Sequence, residues 1–318
     1  MNTIRTIIIN SVFICIFIFG TFANAQTIIT EDDRPWFKAD LHTHHTFEEP
    51  LDKLIEKYRE TGYQFLVLST KDEMKLLNYE KHSTPEMLIV NGVEQAFLTR
   101  KKQFGHVLGF RIKKPYLFTT HWTLKEGYAK LRKKNKGAVL GVNHPHDQRW
   151  TLEDIMEAWE NGVLLFELNS IDMKHGEFET GLWDEALSNG ARLYATLVND
   201  VHHFDDIDAY GYIMIRSESL TLNDINEALL KGDFYAVESG CRATPVLHRI
   251  VETDNEESLE IEAPGAARIR VIGNKGSVVG EYESESAKHP INGNESYLRV
   301  EIIDDQGRYI FTQPFFLN

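Results

Sequence analysis

From Pro35 to about Pro245 the chain alternates short apolar runs with segments whose apolar residues recur at helical spacing, a pattern that few folds accept. Phe37 to His42 reads as a strand, and Leu51, Leu54, Ile55 and Tyr58 then mark a helix behind Pro50. Tyr63 to Ser69 is almost wholly apolar, as a strand covered on both faces would be. Leu88 to Val93 and Phe104 to Phe110 are further strands, and a basic helix from Leu124 to Lys136 leads through Gly137 into Ala138 to Val142. Thr151-Leu152-Glu153-Asp154 has the form of a capping box, opening a helix closed by Asn161-Gly162. Strands at 163–168, 192–198, 210–215 and 234–237, with helices at 182–188 and 222–231, complete the series. Repeated strand–helix units predict an α/β fold on a parallel sheet, and about seven of them predict a closed or nearly closed barrel.

After Pro245 the helical period disappears. Alternating strand pattern and turn signals at Asn274-Lys275-Gly276, Asn292-Gly293-Asn294 and Asp305-Gln306-Gly307 predict a small antiparallel β-domain over 246–318. Its last part, Leu298 to Ile303 and Arg308 to Phe316, reads as a hairpin.

The first 25 residues belong to neither part. Arg5 precedes an apolar run from Ile7 to Gly20, and Ala23-Asn24-Ala25 supplies a small-x-small cleavage pattern. This predicts a secretory signal peptide, hence a periplasmic or secreted protein with no stable membrane insertion once it is removed. The run is shorter than the ~20 residues that a membrane span requires. Cys15 leaves with that segment, so Cys241 alone remains and no internal disulfide can form. Losing Arg5 moves the formal net charge from −14 to −15. So acidic a surface repels phosphate backbones, which argues against nucleic acid as a bulk partner but not against a small anionic substrate at a cationic site.

The chemistry gathers at the carboxyl ends of the predicted strands, the rim on which barrel enzymes build active sites. The first strand ends in Asp40-Leu41-His42-Thr43-His44. Side chains alternate along a strand, so His42 and His44 point the same way and can grip one metal. Gly92-Val93-Glu94 puts a carboxylate at another strand end, and Gly105-His106 opens the next strand. Asn143-His144-Pro145-His146 and Asn199-Asp200-Val201-His202 end two more. Any one of these is as well explained by a hydrogen-bonded histidine or a solvated acid. Five on one rim point to a metal centre.

These motifs, in this order, resemble the PHP superfamily of metal-dependent hydrolases, named for polymerase and histidinol phosphatase, over most of residues 36–245. The resemblance implies a distorted seven-stranded (β/α) barrel and two or three zinc, manganese or iron ions. The signal peptide and β-rich tail look most like the secreted branch that includes carbamate-ester (carbaryl) hydrolases. Carried over by position, a first metal takes His42, His44, Glu94 and Asp200. A second shares Glu94 and adds His106 and His144, while His202 matches a ligand of a third. The pattern breaks at Thr70-Lys71-Asp72, where family members commonly have Thr-Asp-His. Asp72 and Glu49 stand where third-site ligands would be, and Lys71 brings positive charge there, so two divalent ions are expected.

The expected activity is hydrolysis of a phosphate ester by a metal-activated water, with Asp200 or His202 managing the leaving-group proton. Lys71 either stabilises the leaving group or snorkels to solvent at the rim. The same dinuclear site would serve carbamate, ester or amide bonds, and a non-catalytic metal-containing binding protein is the reading from another class. Asn169 is a candidate for binding substrate or orienting a ligand. His146 and Arg149 are candidates for an anionic group or for plain surface roles. His45 and His203 alternate away from the metals, and His82, His121, His175, His248 and His289 have no surrounding pattern.

Overall fold

A computed structural model describes residues 33–45, 50–71, 78–112, 116, 119–245, 247–253 and 256–317. The segment expected to be a signal peptide, Glu49 and Asp72 lie outside the described residues, as does the side chain of Lys71.

Among the described residues the α/β part holds nine strands and five α-helices. In chain order they are β1 Trp36–His44, α1 Leu51–Glu60, β2 Phe65–Lys71, β3 Leu88–Leu98, β4 Phe104–Phe110, α2 Leu124–Lys134 and β5 Val139–Val142. Then come α3 Leu152–Glu160, β6 Leu165–Glu167, α4 Thr180–Ser188, β7 Tyr194–Thr196, β8 Gly211–Arg216, α5 Leu222–Lys231 and β9 Phe234–Glu238. They form a distorted barrel whose strands neighbour one another in the order β9-β8-β1-β2-β3-β4-β5-β6-β7. The expected parallel pairing holds for β1–β2–β3 and for β5–β6–β7. By contrast, β4 is antiparallel to both neighbours, and β8 is antiparallel to β1 and β9. A parallel crossover needs a dozen or more residues, and the short link from Leu98 to Phe104 permits only a hairpin.

The helices begin and end where the local chemistry says they should. Thr151 accepts from Asp154 N while Asp154 Oδ2 accepts from Thr151 N at 3.0 Å, the reciprocal box read from the sequence. Gly232, in the left-handed region at φ 74°, ends α5. In α1 the buried stripe is Leu54, Ile55 and Tyr58, as the spacing predicts, and the Tyr58 hydroxyl reaches in to donate to Asp40 Oδ2 at 2.8 Å.

The tail contributes β10 Leu247–Thr253, β11 Glu256–Glu262, β12 Ala266–Gly273, β13 Ser277–Tyr282 and β14 Ser286–Pro290. β15 Tyr297–Asp304, β16 Tyr309–Thr312 and β17 Phe315–Phe316 follow. β15 and β16 make the expected hairpin, and β16 pairs with β9, so the tail's sheet continues that of the barrel. β10, β11 and β14 form a separate three-stranded sheet.

The barrel's remaining edge, β7, is covered from the tail. The Gln313 amide accepts from Ala195 N at 2.7 Å and donates to Ala195 O at 2.8 Å, standing in for a strand. An uncovered edge would leave buried backbone groups unpaired. At the mouth the chain beyond β7 closes onto β1 by backbone bonds, Asp200 N to His42 O and His44 N to Val201 O, both 3.0 Å. That closure brings Asp200 against the two histidines of β1. No helix among the described residues is long and apolar enough to cross a membrane.

Candidate metal centre

Strand β1 places His42 and His44 with their Nε2 atoms 3.1 Å apart, so alternation along the strand does put both imidazoles on one side. Behind them Asp40 anchors the segment. Its fully buried carboxylate accepts from His42 N, the Thr43 and Tyr58 hydroxyls and the Asn199 amide. Burial pushes the Asp40 carboxyl up, against the pull of those donors. Asn199 lies next to Asp200, so one buried acid fixes both ligand-bearing segments.

Glu94 is not at a strand end. It lies within β3, opposite Lys71 at the last register position of the β2–β3 ladder, and β3 runs on to Leu98 as half of the hairpin with β4. His106 opens β4 as expected. His144 and Asp200 follow β5 and β7 in strained backbone, at φ 24° and 46°, a conformation uncommon outside glycine and held here by the surrounding structure.

These side chains converge. His42 Nε2 lies 3.5 Å from Glu94 Oε1 and 3.4 Å from Asp200 Oδ1. His44 Nε2 lies 3.2 Å from Glu94 Oε2 and 3.3 Å from Asp200 Oδ1. His106 Nδ1 and His144 Nε2 approach Glu94 Oε1 at 2.9 and 3.1 Å. His202, on the outer side, can share an ion with His44 and Asp200. Four overlapping triads of potential ligands result, and Glu94 belongs to the inner group with His42 and His44 and to the group with His106 and His144.

The donors fit divalent cations. A tetrahedral ion with bonds of about 2.0–2.1 Å sets its ligand atoms about 3.3–3.4 Å apart, and the separations among His42, His44, Glu94 and Asp200 straddle that value. His106 Nδ1 and Asp200 Oδ1 are buried with no hydrogen bond despite these short approaches. Buried polar atoms are nearly always bonded, and these two orphans belong to different ligand groups, His106 with Glu94 and His144 and Asp200 with His42 and His144, so each group has an atom left over for a cation. Imidazole nitrogen with carboxylate oxygen is a donor set that divalent metals accept.

The charges respond to one another. Burial pushes the His42 imidazole down, but the carboxylates of Asp200, Glu167 and Glu94 outweigh it and hold it well above its ordinary value. His44 and His144 are raised in the same way, against burial, by Asp200 and Glu94 and by Glu94 and Glu167. Burial would raise the two acids, yet the His42 charge and the neighbouring imidazoles hold Glu94 well below the usual carboxylate range and Asp200 down to about 2.

Around the ligands lie residues that the sequence did not single out for this purpose. Glu167, at the end of β6, accepts from His42 Nδ1 through Oε1 at 3.0 Å and from His144 N through Oε2 at 2.9 Å. It fixes the tautomer that presents His42 Nε2. The Ser69 carbonyl does the same for His44 Nδ1 at 3.0 Å, and Asn143 donates to Glu94 Oε1 at 3.3 Å. The only sequence signal for Glu167 was its position at a strand end.

Asn169 contacts no ligand. It bonds both the N and O of Val198, orienting the segment that leads to Asp200. His146 is exposed and faces Glu179 at 3.0 Å. Arg149 and His203 are exposed, and the His45 ring lies edge-on to Tyr79. His175, which had no pattern around it, meets the buried Glu238.

No known family profile matches the sequence, and no curated protein matches it. Among solved structures, the chain is similar to a two-domain protein from Bacteroides vulgatus containing a predicted PHP-like metal-dependent phosphoesterase. The identity is 14% and the TM-score 0.49, over 90% of this chain and 98% of that one. It is also similar to an amidohydrolase from Chromobacterium violaceum with bound sulfate and no metal. Here the identity is 12% and the TM-score 0.36, over 52% of this chain and 87% of the other.

Proposed function

We propose that the chain is a hydrolase that works with two divalent cations and cleaves a phosphate ester of a small anionic molecule. What supports this is the buried donor set at the barrel mouth, in which Glu94 is shared and His106 Nδ1 and Asp200 Oδ1 have no hydrogen bond. The PHP-like order of motifs adds the preference for phosphorus. With the signal-like segment, the place of action is outside the cytoplasm.

His42, His44 and Asp200 would hold one cation and His106 and His144 the other, with Glu94 available to both. When bound, such a pair supplies a water activated at neutral pH and neutralises charge on the transferred group. Glu167 and the Ser69 carbonyl keep the imidazoles of His42 and His44 turned inward. His202 is half-buried, with Nδ1 2.8 Å from Asp200 O. We assign its imidazole to hand a proton to the departing oxygen at the open side. Lys71 ends β2 opposite Glu94 in the strand register, and we assign it to stabilising the leaving group.

The test is elemental analysis of the purified protein alongside turnover of p-nitrophenyl phosphate and bis(p-nitrophenyl) phosphate. About two ions per chain with chelator-sensitive turnover is the expected result. Metal without phosphate turnover would move the assignment to carbamate, ester or amide bonds, the carbaryl-hydrolase-like alternative. Silence on those substrates as well would leave a metal-containing binding protein. No metal after reconstitution would overturn the site itself.

A further inference from the structure

A cavity of about 150 Å³ opens on the same rim, between the loop after β6 and the turn joining β15 to β16. Asn169, Lys174, His175, Tyr210, Glu238 and Arg308 are among its lining residues. Two of them are tied to the metal-ligand segment. Asn169 grips Val198, and Tyr210 N donates to the side chain of Asn199, the residue before Asp200.

Arg308 is the cavity's contribution from the tail. Its backbone N is held by Asp304 Oδ1 at 2.9 Å, and its Nη1 donates to Ser239 O at 2.5 Å. The guanidinium packs over Gly240, in the left-handed region at φ 81°, where an added Cβ would come within 3.2 Å of Nε. Among the described residues no carboxylate forms an ion pair with it. Glu238, the buried acid in the same cavity, is already engaged by His175 Nδ1, by Gly176 N at 3.1 Å and by Tyr309 N at 3.0 Å. A guanidinium has five N–H donors in a planar fork, and among the described residues the one acceptor for that of Arg308 is Ser239 O.

We propose that this cavity binds a second anionic group of the substrate, a carboxylate or a second phosphate, with Arg308 as its fork and Lys174 at its rim. The substrate class is therefore a small molecule anionic at both ends, one end at the cations and the other at the seam between barrel and tail. The first half of that statement rests on the phosphoesterase reading; the seam site does not. The β-rich tail then acts in specificity, by supplying Arg308.

The test is calorimetric titration of the metal-loaded protein with alkylphosphonates, ω-phosphonoalkanoates and alkane-α,ω-diphosphonates of increasing chain length. At one length the doubly charged compound is expected to bind about tenfold or more tighter than the alkylphosphonate, as a charge-assisted fork provides. Whether the carboxylates or the diphosphonates show that gain identifies the second group. Arg308→Gln abolishes the gain, Arg308→Lys keeps part of it, and Lys174→Gln, on an exposed loop, loses about threefold. Equal binding at every length, or a gain that both Arg308→Gln and Lys174→Gln leave intact, overturns the proposal.

If no phosphonate binds a protein that holds its metals, the phosphoesterase reading has failed instead. The seam is then decided by saturation-transfer NMR with glutarate as probe. Transfer abolished by Arg308→Gln supports the site, and transfer that is absent or unaffected overturns it.

Discussion

Two clusters of buried charge can be set side by side in this molecule. One fastens the tail to the barrel. There Arg299 donates Nε and Nη2 to the two oxygens of Asp184, each at 2.7 Å, and Nη1 to Glu301 at 2.9 Å, while the Tyr297 hydroxyl donates to Asp184 at 2.8 Å. Burial lowers the Arg299 guanidinium, and the bonds and charges of Asp184 and Glu301 more than reverse it. The other cluster is the ring of histidines and acids at the mouth, buried at His42, His44, Glu94, His144 and Asp200, yet with His106 Nδ1 and Asp200 Oδ1 unbonded and with strained backbone at His144 and Asp200. A structural cluster completes itself with its own atoms. The mouth cluster keeps orphaned atoms and strain, as sites built to receive something else do.

That contrast can be broken in several ways. Glu94→Ala has the largest expected effect. On the proposed function, losing the shared ligand would remove both ions and lower turnover by about 10³-fold or more, because the cations would generate the nucleophile. Elemental analysis with steady-state kinetics reads it, and full metal content in the variant would disprove the bridging role.

At the other cluster Arg299→Ala strands Asp184 and is expected to cost about 3–5 kcal/mol of stability, whereas replacing the pair together with apolar residues of similar volume recovers most of it. Denaturant unfolding measures both. If the same single change altered metal content while leaving stability untouched, the division between a structural and a functional cluster would fail.

Glu167→Gln tests orientation rather than ligation, since Gln preserves shape but weakens the hold on His42. Metal affinity is expected to fall about 10–100-fold, the usual effect of removing a group behind a metal-binding histidine. Competition with a chelator of known affinity gives the value.

The smallest effect is a slope with pH. In the metal-free protein the raised imidazoles of His42, His44 and His144 contribute stability that is fully present below the ordinary value of 6.5 and is lost as pH rises through their folded values. The lowered acids contribute above their ordinary range. That contribution is lost as pH falls, toward about 2 for Asp200. Cations compete with the histidine protons, so the Tm gained on adding metal should grow from pH 6 to pH 8. A Tm gain that is flat or falling over that range would mean that the ions bind elsewhere. The Arg299 cluster, with no titrating histidine, should give no such slope.

Much of this was legible in the sequence because it is local. The two-residue period of a strand sends His42 and His44 to one side, and capping residues and helical spacing place α1, α3 and α5 to within a residue or two. Strand ends foretell a rim, which is where His144 and Asp200 lie. What local pattern does not contain is pairing. β3 reads as stopping near Glu94, but the hairpin with β4 carries it on to Leu98.

The chain by itself thus determined an alternating α/β barrel, a β-rich tail and the residue types of the candidate metal centre, since each follows from periodicity or from the chemistry of one side chain. Only the tertiary structure decided that Glu167 holds His42, that Gln313 covers the edge of β7, and that Arg308 from the tail enters a cavity on the barrel rim. These contacts join residues from about 70 to 125 positions apart. Closing such loops depends on the whole sheet having formed around them, and nothing in the neighbouring sequence marks either partner.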